Sequence, residues 1–321
     1  MNKIAKISIA GGAVALAAAA SAFAIMLTKD KQPVPTVSVL DVSDIPSVTE
    51  PAVQENWWEK EEYSLSPSGM NARGQEYLAK NDDIIGWIKL DKTKINYPVV
   101  LDPGDVYSED DPSQLLIGSN SYYLDKDIDG KPYISGTLFM DYRDVFSEKE
   151  DEQSDNLVIY GHNMLNNTAF GGLRVYRQNY SFYDESPIIE LSSNYRDYQY
   201  IIFGYIITPG SYDDTDFHYW NMEDFANEEE FNFFVDRIQS NSMVDTGVDV
   251  KYGDKLLTLS TCYLDEDNSR FIVVARRLRD HETSLENIDR TEAYLEKIRQ
   301  EEASRAAAEA EAEGGTETQA S

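Results

Sequence analysis

The chain carries a single cysteine, Cys262, at the end of the run Lys-Leu-Leu-Thr-Leu-Ser-Thr-Cys over 255–262, with Arg270 eight residues later and His162 one hundred residues earlier. Each type has a chemical task. A thiolate attacks a carbonyl carbon, an imidazole moves protons for the thiol and for an amine, and a guanidinium donates hydrogen bonds to a developing oxyanion. Taken singly, each also has a plainer reading. A lone cysteine is most often a small buried hydrophobe, and a histidine among apolar residues is usually a hydrogen-bonded core residue. The chemistry requires the three to meet, so the question passes to the elements that carry them.

Residues 255–262 alternate as a strand, with Leu257 and Leu259 on one face and Leu256, Thr258, Ser260 and Cys262 on the other. Tyr263 to Ser269 is too polar to continue the strand and predicts a loop; β-branched residues resume at Phe271 to Ala275. The result is a hairpin with a thiol at one lip and a guanidinium at the other. Leu157 to Tyr160 predicts a further strand, Gly161 permits a sharp turn, and His162 stands where that strand breaks. Other strands are expected at 84–90, 95–101, 136–141, 188–191 and 198–207. Short helical spacing is expected over 71–81, and a helix with a core stripe of Phe225, Phe231, Phe234 and Ile238 over 224–238. Asp125 to Gly130 copies the start of a calcium-binding loop, but Gly136 stands where its bidentate Glu belongs, so the segment reads as a solvated turn.

The formal charge of −30 argues against nucleic acid as a partner, because phosphate binding needs Lys and Arg. The 21 tyrosines, with many short apolar runs, favour a β-rich domain. One cysteine excludes an internal disulfide. Lys3 and Lys6 precede an uncharged run, Ile7 to Leu27, long enough to span a bilayer. A retained signal-anchor is favoured over cleavage after Ala22-Phe23-Ala24, since the run continues past that point. The expected organisation is an inner terminus over 1–6, an anchor over 7–27, an outer linker over 28–66 that includes Trp57-Trp58, a folded domain over 67–279 and an acidic tail over 280–321, helical over 285–312 and disordered beyond. In that tail Leu285, Ile288, Leu295 and Ile298 are spaced for one narrow apolar helix face.

Thr258-Leu-Ser-Thr-Cys262 with Arg270, Tyr160-Gly-His-Asn-Met164, Gly86-Trp-Ile, Tyr97-Pro-Val-Val and Gly136-Thr-Leu-Phe-Met-Asp141 together resemble the sortases, specifically class B, from about Asn71 to Arg277. The resemblance implies a mainly β fold: a closed eight-stranded barrel with a short N-terminal helix and a helix in the connection before the cysteine strand. It also implies a single-pass membrane protein of a Gram-positive-type cell, its catalytic domain outside. In that reading Cys262 cleaves a sorting signal after Thr and forms a thioester, His162 handles the amine protons and Arg270 stabilises the oxyanion. Ser260, Thr261 and Asn163 are the candidate substrate-binding residues. The partners would be a secreted protein bearing the signal and an amine from peptidoglycan precursor or pilin. No cofactor and no metal is implied.

The acidic stretch 103–121, the acidic loop 265–268 and the tail beyond Leu278 depart from that pattern. Two other functions compete. An L,D-transpeptidase also uses an exported Cys and His, but places Arg directly after its cysteine, where this chain has Tyr263. A catalytically inactive surface scaffold would retain the barrel and use its acidic loops and tail for binding; the presence of all three candidate catalytic groups argues against it. The order His, Cys, Arg also differs from papain-like proteases, in which Cys precedes His.

Overall fold

The computed structural model describes residues 70–263 and 268–317. The uncharged run 7–27, the linker with Trp57-Trp58, and the acidic residues 265–267 lie outside them. Among the described residues no helix is long and apolar enough to cross a membrane.

Helix α1 (Ala72–Leu78) starts where Asn71 Oδ1 accepts the Gly74 N–H at 2.7 Å, and its Tyr77 ring stacks on Trp87 with centroids 5.4 Å apart. The strands are β1 (Ile84–Leu90), β2 (Asn96–Leu101), the short pair β3 (Val106–Tyr107) and β4 (Leu115–Ile117), then β5 (Leu138–Met140) and β6 (Asn156–Tyr160). Two short helices follow, α2 (Arg174–Gln178) and α3 (Phe182–Glu185), then β7 (Ile188–Ser193) and β8 (Asp197–Pro209). Helix α4 (Glu228–Asn241) precedes β9 (Leu256–Tyr263) and β10 (Ser269–Arg277), and α5 (Glu292–Glu317) comes last.

Eight of these strands close into a barrel in the order β1-β2-β5-β6-β9-β10-β8-β7. The fold class expected from the sequence is the one observed. The pairs β2–β5 and β6–β9 are parallel, and β9–β10 is an antiparallel hairpin. A parallel neighbour needs a long crossover. The chain between β6 and β9 supplies one, with α4 in it.

Alternation along β9 and β10 divides the core in two. Leu257, Leu259 and Val273 fill the barrel with Ile88 and Val99, while Leu256, Ile272 and Val274 face outward against Phe231, Phe234 and Ile238 of α4. Both faces are buried, and each such side chain contributes about 1.5–3 kcal/mol. Helix α4 begins at Glu228 rather than at Asp224, because Asn227 takes an extended backbone and its Oδ1 accepts the Glu230 N–H at 3.0 Å. Phe225 precedes the helix yet stays buried against Phe231 and Phe234.

The acidic stretch 103–121 carries the small β3–β4 hairpin. In the turn after it, Asp127 Oδ1 accepts the N–H groups of Asp129 and Lys131, both at 2.9 Å. The C-terminal segment differs from the expected single helix. Leu285 lies in a short 3-10 turn and Ile288 is buried against the outer core, so neither belongs to α5, and Leu295 is exposed on it. What holds residues 276–291 down is polar. Arg276 of β10 and Glu282 form a fully buried ion pair at 2.5 Å, and Arg279 contacts Asp249, Asp254 and Asp289.

Candidate active site

Cys262 and Arg270 are direct partners across the β9–β10 ladder, so their side chains leave the same face of the hairpin. His162 reaches that face through the parallel pairing on the other side of β9. Tyr160 is opposite Ser260, the Gly161 N–H donates to the Ser260 carbonyl at 3.2 Å, and Thr261 Oγ1 donates to the Gly161 carbonyl at 2.7 Å. One residue beyond the imidazole, Asn163 Nδ2 donates to the Cys262 carbonyl at 2.8 Å. These bonds fix the histidine strand end against the cysteine strand end. His162, Cys262 and Arg270 all line one cleft of about 400 Å³.

Gly161 is required for a reason other than the turn expected of it. A Cβ there would lie 2.4 Å from Leu138 Cδ2 and 2.8 Å from Phe170 Cδ2. Close packing, not backbone freedom, demands the missing side chain.

The imidazole is held from outside the barrel strands. His162 Nε2 lies 2.7 Å from the carbonyl oxygen of Leu124. A carbonyl only accepts, so Nε2 carries the hydrogen in either charge state, and Nδ1 is left as the nitrogen that gains or loses a proton.

The three further candidates also surround the thiol. Ser260 and Thr261 line the cleft. Their hydroxyls are engaged, Ser260 Oγ with Tyr219 OH at 2.7 Å and Thr261 with Gly161, as described. The Asn163 amide nitrogen holds Cys262 in place, while its Oδ1 is buried without a partner.

Part of the lining of the thiol's cleft carried no motif signal in the sequence. Tyr219 and Trp220 both line the cleft, and the Tyr219 hydroxyl is pushed up to about 12 by burial, against the Ser260 hydrogen bond and the Arg270 charge. It therefore stays a neutral hydrogen-bonding group. Their turn is tied down by Arg143, which donates to the Trp220 carbonyl and to Asn221 Oδ1 while gripping buried Asp141 at 2.8 Å. Asp141 also accepts from Tyr160 OH at 3.0 Å. The aromatic run 217–220 was the only signal of this wall in the sequence, and nothing there linked it to Asp141 or Arg143.

Among the described residues one group, His281, Glu282 and Asp289, has ligand atoms close enough to share a cation. Arg276 and Arg279 already occupy both carboxylates, so the group is an ion-pair cluster.

A closed mixed barrel with a thiol, an imidazole and a guanidinium on one cleft at neighbouring strand ends is the architecture of a cysteine transpeptidase. A profile of the sortase domain matches residues 88–278. The chain is 31% identical to sortase B of Staphylococcus aureus over 62% of its own length and 72% of that protein, and 30% identical to sortase B of Listeria monocytogenes over 58% and 65%. Among solved structures, an S. aureus sortase B–substrate complex superposes with a TM-score of 0.54 at 30% identity, covering 66% of this chain and 87% of that one. A sortase B from B. anthracis in complex with AAEK2 gives 0.55 at 27%, covering 68% and 89%. This chain belongs to the sortase family, within class B. Membership makes it a transpeptidase acting on proteins that carry a sorting signal.

Proposed function

We propose that the chain is a membrane-anchored extracellular class B sortase that cleaves its sorting signal after Thr through a thioester on Cys262, then transfers the protein to a cell-wall or pilin amine. The observation that carries this reading is the shared cleft of Cys262, His162 and Arg270. Cys262 Sγ attacks the scissile carbonyl carbon. Arg270, its cross-strand partner, donates to the oxyanion. His162, hydrogen-bonded at Nε2, gives its Nδ1 proton to the departing amine and later takes one from the entering amine. Without an acceptor, water would take the acyl group and the outcome would be hydrolysis. Asn163, Ser260 and Thr261 serve the substrate by shaping the backbone around the thiol, because the Asn163 amide nitrogen and the two hydroxyls already have partners there. The run 7–27 is the anchor in this reading, and the linker holds the domain off the membrane.

The test is mass spectrometry of the full-length chain in mild detergent, incubated with a mixture of sorting-signal peptides and amine acceptors. Cleavage after Thr with transfer to an amine, both absent in Cys262→Ala, is the expected result. Cleavage that persists in the variant would refute the assignment of Cys262, and failure of a thiol-reactive signal analogue to label Cys262 would favour the scaffold reading.

A further inference from the structure

A second cavity, of about 340 Å³, opens at the same end of the barrel as the thiol. It is walled by Tyr97 and Pro98 of β2, Leu138 at the start of β5, Ile128 and Tyr133 from the loop before it, and Ala169. No charged side chain lines it. On the neighbouring loops Ile134 and Leu165 are 84% and 81% exposed, apolar surface that gains by being covered.

The topology puts this cavity next to the imidazole. β5 is antiparallel to β6 and parallel to β2, so the start of β5 and the start of β2 lie at the barrel end where β6 delivers His162. Leu138 packs against Gly161. The loop that begins with His162 ends in the second cavity's wall, and it is pinched shut by a bridge between Asn163 and Ala169. Ala169 has φ 47°, a conformation rare for a residue with a side chain, so the surrounding structure must hold it there. Asn163, the partner of Ala169, is the residue that holds the Cys262 carbonyl.

A transpeptidase must seat two chains around one sulfur. In the transpeptidase reading the donor takes the cleft that holds the thiol, which Tyr219 and Trp220 also line. An incoming amine must surrender its proton to Nδ1 of His162, so the chain behind that amine has to lie on the His162 side. We propose that the second cavity is the acceptor subsite, taking the aliphatic stem and neighbouring apolar side chain of a peptide whose primary amine, as on a lysine side chain, attacks the thioester. The proposal rests on the transpeptidase reading above. In the step it serves, the amine nitrogen forms a C–N bond to the thioester carbonyl carbon and the C–S bond breaks. The amine's proton passes through His162 and Cys262 is regenerated. The apolar walls bind the aliphatic stem and leave the amine free to reach the thioester.

The experiment uses the full-length chain in detergent with acetyl-Leu-Lys-Leu-amide as acceptor and a sorting-signal peptide as donor. Thr168→Phe fills the cavity and Tyr133→Ala strips one of its walls. In both variants donor cleavage should stay within about twofold of the native chain while the ratio of transfer to hydrolysis falls about tenfold or more. An unchanged ratio in the two variants overturns the proposal, and so does a parallel loss of cleavage and transfer in variants that keep the native melting temperature. Calorimetric binding of the same acceptor to Cys262→Ala, with and without Thr168→Phe, provides an arm that needs no turnover. Binding abolished by Thr168→Phe supports the subsite even if no donor is cleaved, a result that would count against the transpeptidase reading alone. Binding indifferent to Thr168→Phe removes the subsite even if transpeptidation is confirmed.

Discussion

Replacing Glu282 by Gln tests how the strand that carries Arg270 is secured. Glu282 and Arg276 are both fully buried as side chains, and two bonds of 2.5 and 2.6 Å join them. Burial alone would raise the carboxyl's pKa. The Arg276 guanidinium and the backbone N–H groups of Arg279 and Asp289 outweigh it and hold the group at about 2, against an ordinary 4.5. At about 1.4 kcal/mol per tenfold, that displacement is worth about 3 kcal/mol. Breaking a buried pair by removing one partner costs a similar amount, about 3–5 kcal/mol, because the remaining charge is stranded. A depressed carboxyl pKa stabilises the fold fully above the unfolded value and loses that contribution as pH falls through the folded value. Glu282→Gln should therefore unfold about 3 kcal/mol more easily at pH 7, and the gap should shrink as pH drops from about 4.5 toward 2. Urea denaturation followed by tryptophan fluorescence, at pH 7 and pH 3, measures both. A gap under about 1 kcal/mol at pH 7, or one that does not narrow at pH 3, would show that the Arg276–Glu282 pair does not secure the strand.

Two more outcomes follow from the geometry. Arg270→Lys keeps the charge but gives up the planar fork of donors, so kcat/KM for transpeptidation should fall about 100-fold or more with folding intact; steady-state kinetics with the native signal would show it, and a loss below tenfold would remove Arg270 from the oxyanion role. Asp144 is buried, accepts the Val158 N–H at 2.6 Å, and has its pKa pushed well above the usual carboxylate range first by that burial. A raised carboxyl pKa costs stability as pH climbs past the unfolded value, so Asp144→Asn, which keeps an accepting oxygen, should be at least as stable as the native chain at pH 7 and lose any advantage by about pH 4. Urea midpoints at the two pH values are the check.

Much of the site could be read from the chain because strand chemistry is local. Alternation over 255–262 assigned Leu257 and Leu259 to one side and Cys262 to the other, and that division is the boundary between the barrel interior and the outer core. The polar stretch 263–269 implied a hairpin, and the hairpin made Cys262 and Arg270 cross-strand partners. Helix α4 was visible because its phenylalanines recur with helical spacing; its true start was set by Asn227, a capping preference that apolar spacing does not register. The tail misled for the same reason in reverse. Ile288 fits a helical stripe but is drawn into the outer core, because the buried Arg276–Glu282 pair fastens the segment before α5 begins.

By itself, then, the sequence determined which residues could do chemistry, which strand faces carry them and the family they belong to, since these follow from residue type and from spacings of a few positions. How His162 meets Cys262 is set by the closed barrel. That contact depends on a parallel pairing between strands about a hundred residues apart, whose register no local pattern encodes. The tertiary structure also decided that Leu124 orients the imidazole through a backbone carbonyl, an atom every residue possesses and no sequence motif can mark. The same holds for the Asp141–Arg143 anchor of the cleft wall and for the second cavity beside His162. Both are assembled from segments remote in the chain, joined only when the barrel closes.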